Sequence, residues 1–380
     1  MAFFSKFFNK EELVVLGVDI GSSAIKIVQI RKKNGQAVLE TYGELALGPY
    51  AGLSIGQAAA LPSDKIIQAL TDLMREKEVN ITTKKCGISI PFTSSLMSVV
   101  EMPEVSAKQL AVMVPLEARK YIPVPISEVM LDWSIIPKSE VRAEDSAEYT
   151  TEPSSLVDAG AEPPKTFTKI DVLVVAIHND TIVRYQEIVG KSGLEAGFFE
   201  IEIFSTMRAV LDESLRPVMI MDMGAASTKL YVIERGVIRS SHTVNRGSQD
   251  ITTTISKSFG VTMERAEVMK REVGAIGTDK NLTDITVLTL DYIFSEVNNA
   301  LLSFEKKYNK TISKVILVGG GSALKGLSDL AKNNFKTEVV VANPFNKVSA
   351  PAFLENILKE TGPEFAVAIG LALRRLAEEE

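Results

Sequence analysis

Cysteine and histidine are nearly missing from this 380-residue chain: it has only Cys86, His178 and His242. One thiol excludes an intramolecular disulfide and any zinc site built on several cysteines. Two histidines argue against a histidine metal site or a catalytic triad, so both are expected in structural or surface roles. No uninterrupted apolar run reaches the length of about 18 residues that a membrane span needs. Basic residues are outnumbered, with 42 Lys and Arg against 48 Asp and Glu and a net charge of −6. That balance leaves no broad basic field and argues against nucleic acid as the main ligand. What remains is a globular composition, 46% hydrophobic and 24% charged, long enough for two core-bearing lobes.

One hairpin is present twice. Residues 15–30 read VLGVDIGSSAIKIVQI and residues 218–233 read VMIMDMGAASTKLYVI. Aligned without a gap, they share an Asp (Asp19, Asp222), a Gly (Gly21, Gly224) and a Lys (Lys26, Lys229), each pair 203 residues apart. Each copy is an apolar strand, an acidic residue, a small-residue turn and a second apolar strand. Ser22-Ser23 and Ala225-Ala226 leave room for backbone N–H groups to approach a phosphate closely. An Asp beside a phosphate makes sense with a hard divalent cation between them, Mg²⁺ being the natural choice, often through water. The bland alternative, an ordinary hairpin with a Gly turn, weakens when the pattern occurs twice. Lys26 and Lys229 lie on the second strands and either support the phosphates or point elsewhere.

Gly35 marks a turn into a third strand over 36–45. The Gly- and Pro-rich stretch 47–62 reads as a loop. Ser63 is placed to cap a helix bearing Ile66, Ile67, Leu70, Leu73 and Met74, and 86–90 reads as a strand. From about Thr93 the order becomes strand (96–102), helix from Ser106, strand (129–136, with Trp133 in the core) and strand (170–177). Pro115 predicts a kink or break in that helix. The acidic, Pro-containing stretch 139–166 reads as a solvated loop. A helix over 179–191, a strand over 195–200 and a helix over 203–211 lead to the second hairpin. Beyond it come a helix with Ile251, Ile255 and Phe259 on one face, then a shorter one in which Glu267 and Lys270 share a face. The plain reading of that pair is an exposed ion pair contributing little. A long helix covers 286–308.

Residues 314–324, KVILVGGGSAL, run a buried strand into three glycines, with Ser322 positioned to cap a following helix. Such glycines let backbone lie flat against a planar or anionic ligand. The final EFAVAIGLALRRLAEEE is apolar almost all round, which implies a buried helix, and Ala366, Gly370 and Ala372 permit close helix contact. At the other end, Phe3, Phe4, Phe7 and Phe8 share a face if helical. A short helix on its own domain is expected there, with a weak membrane or partner foot as the alternative.

VDIGSSAIK, MDMGAASTK and VILVGGGSALKG resemble, in order, the two phosphate motifs and the adenosine motif of the actin/Hsp70-like ATP-binding superfamily. Helices from about Ser248 and from Glu364 resemble its connecting helices. Within it, GISIPFTSSLMSVVEMP and LEARKYIPVPISEVMLDW resemble the PilM family of type IV pilus assembly, relatives of FtsA. The resemblance implies an α/β, two-lobed actin-like (RNase H-like) ATPase fold with an inserted α+β (SHS2-like) module in the first lobe. The first lobe would be 10–92, continued at 179–214 and 364–380, with the inserted module at 93–178. The second lobe would be 215–245 and 310–363, with a helical subdomain at 246–309.

It also implies ATP and Mg²⁺ as ligands in the cleft between the lobes. Asp19 and Asp222 would hold the metal through water. Gly21, Ser22, Ser23, Lys26, Gly224, Ala225 and Ala226 would meet the phosphates, and Gly319, Gly320, Gly321 and Ser322 the nucleoside. Glu267 and Lys270 fall where the family reaches the ribose or base. The implied role is a cytoplasmic adapter, peripheral to the inner membrane. It would bind the N-terminal cytoplasmic peptide of a PilN-like inner-membrane protein and connect it to motor and platform proteins. A weakly ATP-hydrolysing enzyme and an FtsA-like filament former stay open as alternatives, as does a homo-oligomer. No catalytic residue emerges.

Overall fold

The computed structural model describes residues 13–136, 169–212 and 216–378. The Phe-rich N-terminus and the acidic stretch 139–166 lie outside the described residues. Two compact units make up the chain, Met1–Ser95 with Asp180–Glu380, and Leu96–Asn179.

The larger unit opens with β1 (Val14–Ile20), β2 (Ala24–Lys33) and β3 (Gln36–Ala46), followed by α1 (Ser63–Arg75) and β4 (Lys85–Ile90). The smaller unit then contributes β5 (Ser95–Pro103), α2 (Ala107–Ala118), β6 (Val129–Ile136) and β7 (Lys169–His178). The chain returns through α3 (Asn179–Lys191), β8 (Glu195–Ile201) and α4 (Glu202–Val210). A second series follows: β9 (Val218–Met223), β10 (Thr228–Glu234), β11 (Val237–Val244), α5 (Ser248–Phe259), α6 (Met263–Val273) and α7 (Lys280–Tyr308). It ends with β12 (Lys314–Val318), α8 (Leu327–Phe335), β13 (Glu338–Val341), α9 (Glu355–Thr361) and α10 (Ala366–Glu378).

Two five-stranded sheets share one plan, in the orders β3-β2-β1-β4-β8 and β11-β10-β9-β12-β13. In each, a three-strand antiparallel meander is extended by two parallel strands. The central strands are almost continuously apolar because both faces are covered. Val18, Ile25, Ile27, Ile66, Leu70, Ile88 and Ile188 form the first core, and Met219, Met221, Ile251, Ile255, Leu290, Phe294 and Leu317 the second. Helix α10 packs against β1 and α4 with backbone nearly touching backbone. A Cβ on Gly17 would sit 1.8 Å from the Ala368 carbonyl oxygen, and one on Gly370 1.9 Å from that of Ser205.

The smaller unit is a three-stranded sheet, β5-β7-β6, covered by α2. Leu110, Val114 and Ala118 of α2 meet Val100, Met102, Val172 and Val174, and Trp133 packs half-buried against them. Ser106 caps α2 through a reciprocal capping box with Gln109.

Several expectations are corrected. Ser63 is the first helical residue and not the cap: Pro62 takes the cap position, where an extended backbone and a missing N–H cost nothing. Of the kink or break expected at Pro115, the break does not occur, and α2 continues to Ala118. The carbonyl it frees belongs to Ala111, on the exposed side where water reaches it. Phe259 is exposed, because α5 ends there with Gly260 in the left-handed C-cap. The long helix α7 begins at Lys280, a turn and a half before 286, where the Asp279 side chain accepts the Leu282 N–H (3.1 Å).

Candidate functional site

Each hairpin closes with one backbone bond of the same kind. The Gly21 N–H donates to the Ala24 carbonyl and the Gly224 N–H to the Ser227 carbonyl, both at 3.0 Å. Among the described residues, the N–H groups of Ser22, Ser23, Ala225 and Ala226 donate to no backbone carbonyl. In the larger unit both turns border one cavity of about 760 Å³. Its wall includes Asp19, Gly21, Ser22, Ser23 and Lys26 from the first sheet, and Asp222, Gly224 and Ala225 from the second. Gly319, Gly320 and Gly321 border it, as do Glu267 and Lys270 of α6.

Two residues expected in the wall are elsewhere. Ala226 does not border the cavity, and neither does Ser322. Ser322 is buried, its hydroxyl donating to the Gly319 carbonyl (2.7 Å), so it braces the glycine turn. It caps no helix: α8 begins five residues later, after Gly326 in the left-handed region. The glycines of the run are needed at particular points. Gly319 has φ +82°, and a Cβ there would lie 2.5 Å from Asp222 Oδ1.

The lysines of the two hairpins are already engaged. Lys26 Nζ lies 3.3 Å from Glu44 and 3.9 Å from Glu364, while Lys229 Nζ lies 2.7 Å from Glu202 and 3.7 Å from Asp222. Asp19 accepts a hydrogen bond from the Ser89 hydroxyl at 2.8 Å. Burial, with the Glu202 carboxylate adding to it, pushes the Asp19 carboxyl up to about 6 against Lys26 and Lys229. Asp222 is also raised by burial, with Lys229 opposing. Among the described residues, Asp19, Asp222 and Glu202 share only Lys26 and Lys229, beside turns whose central N–H groups have no backbone acceptor, so the cluster is short of positive charge. A divalent cation supplies positive charge there, and a polyphosphate accepts those N–H bonds. Mg²⁺ keeps several of its own waters, so two carboxylates suffice, and the residues present fit both groups.

Glu267 and Lys270 are not a solvated pair. Their side chains are 13% and 8% exposed and 2.7 Å apart. Glu267 also accepts from the Thr252 hydroxyl (2.8 Å) and Arg271 Nε (2.7 Å). Although burial pushes its carboxyl up, Lys270, Arg271 and Thr252 outweigh that and hold it below the usual range. Lys270 donates to the Ser248 carbonyl (3.3 Å), joining α6 to the first turn of α5.

Sequence reasoning missed Glu202, Thr206, Glu44 and Glu364, all in the cavity wall. Glu202 accepts the Phe92 N–H at 2.6 Å besides pairing with Lys229. Its one signal is position, an acidic residue opening a helix directly after a buried strand end. His242 sits at the surface, 3.2 Å from Glu296.

The model for type IV pilus assembly protein PilM matches residues 17–149 and 159–376. Among solved structures, the PilM–PilN type IV pilus biogenesis complex superposes with a TM-score of 0.75 at 24% identity, covering 95% of this chain and 98% of that one. MreB5 of Spiroplasma citri bound to AMPPNP gives a TM-score of 0.50 at 10% identity, covering 96% and 97%. The cell division protein FtsA of Bacillus subtilis is 22% identical over 396 aligned residues, covering 96% of this chain and 83% of its own. Among the described residues, no helix is long and apolar enough to cross a membrane. The fold is that of the actin-like ATPases, and the chain belongs to the PilM family of type IV pilus assembly proteins.

Proposed function

We propose that this chain is an ATP-binding adapter of the pilus assembly machinery. The observation that carries the nucleotide half of this reading is the shared cavity. Its volume of about 760 Å³ lies in the range of small-molecule and cofactor sites, and its wall joins both hairpin turns to the glycine run. On this reading Asp19 and Asp222 hold Mg²⁺ through its waters. Backbone N–H groups of Ser22, Ser23 and Ala225, whose residues border the cavity, meet the phosphates. Gly319–Gly321 face the nucleoside, and Glu267 with Lys270 lie at the ribose or base. Lys26 and Lys229 balance the carboxylates and do not stand free as phosphate ligands. Mg²⁺, when bound, would offset part of the triphosphate's negative charge.

The adapter half rests on family membership and on the PilM–PilN complex. The partner is the N-terminal cytoplasmic peptide of a PilN-like inner-membrane protein, which brings the chain to the inner membrane. Motor and platform proteins are its further contacts. Binding of Mg-ATP favours one arrangement of the two sheets, and a peptide with different affinity for that arrangement is then coupled to the nucleotide.

Asp19→Ala tests the site. Calorimetry on this variant should show no measurable Mg-ATP binding while its circular dichroism stays native. Retained affinity would remove Asp19 from the site. Titrating a PilN-like N-terminal peptide with and without Mg-ATP tests the adapter. Coupling is reciprocal, so a peptide affinity that changes with nucleotide requires an equal change in nucleotide affinity with peptide. Absence of peptide binding under both conditions would overturn the adapter reading.

A further inference from the structure

The carbonyls behind the two turns are held by different parts of the chain. Ser22 and Ser23 accept the N–H groups of Ala59 and Leu47, both at 2.8 Å, from the two ends of the stretch 47–59. Gly224 and Ala225 accept the N–H groups of Ser248 (2.9 Å) and Gln249 (3.0 Å), the first residues of α5. These two holders meet, because the Ala58 N–H donates to Gln249 Oε1 at 2.9 Å. An unbroken route therefore runs from the Ser22 carbonyl through Ala59 and Ala58 to the Gln249 side chain, and from the Gln249 N–H to the Ala225 carbonyl.

Both ends of this route are anchored. On the first side, the Tyr50 hydroxyl donates to Asp72 (2.7 Å), Arg184 donates to the Leu61 carbonyl (2.6 Å), and Ala59 packs on the first core. On the second, Ile251 and Ile255 seat α5 in its core, and a Cβ on Gly247 would lie 2.3 Å from the Ala225 carbonyl oxygen. The Ser54 hydroxyl makes a second crossing, to Glu264 of α6. Ile55 and Gly56, between the crossings, border the cavity, and Ile55 is 64% exposed.

We propose that Gln249 is a positioning residue that sets the spacing of the two turns, and that 54–59 is a strap across the cavity retaining the bound nucleotide. The inference rests on the ATP-binding reading and adds to it a residue and a segment that hold the two turns through their carbonyls. A single acceptor in a half-buried contact should change nucleotide release by about tenfold.

The test compares Gln249→Met, which keeps length but removes the acceptor, with Gln249→Glu, which keeps an acceptor. Two measurements are made: release of a fluorescent ATP analogue, and amide hydrogen exchange with and without Mg-ATP. Gln249→Met should release the analogue about tenfold faster and speed exchange in 54–59 and in both turns, and Gln249→Glu should recover most of both effects. Unchanged release and exchange in Gln249→Met would overturn the strap, and so would equal effects in the two variants. If the unaltered protein binds no analogue, the ATP reading fails by itself. The retaining role of the strap then falls with it, and exchange decides the positioning role of Gln249, which loosening confined to 54–59 with both turns unaffected would sink.

Discussion

Asp19 on β1 faces Lys26 across its hairpin, and Asp222 on β9 faces Lys229 in the same register. The closing bonds of the two turns have equal length. Side chains around them diverge. Asp19 lies beside Ser89 of the neighbouring parallel strand, whereas Asp222 lies beside Val318. Lys26 reaches out to the half-exposed Glu44, while Lys229 is enclosed between Glu202 and Asp222. One strand position nearer the N-terminus than the apolar residue before each Asp, the first sheet has Gly17 and the second Ile220, both inside. What stays alike is the backbone that can meet an anion. What differs is the charge balance and the helix packing, which each half meets in its own way.

Gly17→Ala is the harshest way to test that difference. The added methyl would lie 1.8 Å from the Ala368 carbonyl oxygen, a backbone atom of α10 that cannot swing aside. We expect loss of more than about 3 kcal/mol, or failure to fold, by chemical denaturation. At the matched position, Ile220→Val should cost only about 1 kcal/mol. Equal losses would mean that α10 does not depend on that glycine. Next in size, Lys229→Met strips Glu202 and Asp222 of their shared cation and should cost about 3 kcal/mol, as breaking a buried pair does. Lys26→Met should cost about 1 kcal/mol, since Glu44 is half-exposed and solvent screens it. If the two lysine variants unfold alike, the electrostatic contrast between the halves is wrong.

The strands and turns were readable because duplication put the same apolar-Asp-small-Lys pattern at two places, and period and turn chemistry act locally. The inserted unit's order of strand, helix, strand and strand was equally plain from its pattern. Glu202 and Glu364 were not readable, because a carboxylate in a cavity and one at the surface have the same local sequence. The strap was missed for a related reason. Apart from a 3-10 turn at Gly48–Ala51, residues 47–62 do form a loop, but no pattern within them points from Ala58 to Gln249, 191 residues ahead. Ser322 and Ser63 show the limit of capping rules, since each is a good cap by type and each is displaced by a neighbour, Gly326 or Pro62, that fixes the helix start.

A shift in a pH midpoint, not a large loss of stability, is the effect expected at the hydroxyl that only the first half possesses. Ser89 Oγ accepts the Ile20 N–H (3.1 Å) and donates to Asp19 (2.8 Å). Ser89→Ala leaves that N–H without its acceptor and should cost about 1–2 kcal/mol. It also removes a donor that favours the ionised form, so the Asp19 carboxyl, already at about 6, should move higher. The sign follows from linkage. A carboxyl raised from 3.8 to about 6 on folding favours the folded state at low pH and loses that advantage as pH climbs through this window. Holding a metal requires the opposite, ionised form. Mg-ATP affinity measured against pH should therefore rise through a midpoint that lies higher in Ser89→Ala than in the unaltered protein. Val318→Ala, at the matched place beside Asp222, removes no hydrogen bond and should leave the midpoint where it was. A shift in both variants, or in neither, would mean that the two aspartates titrate alike despite their different neighbours.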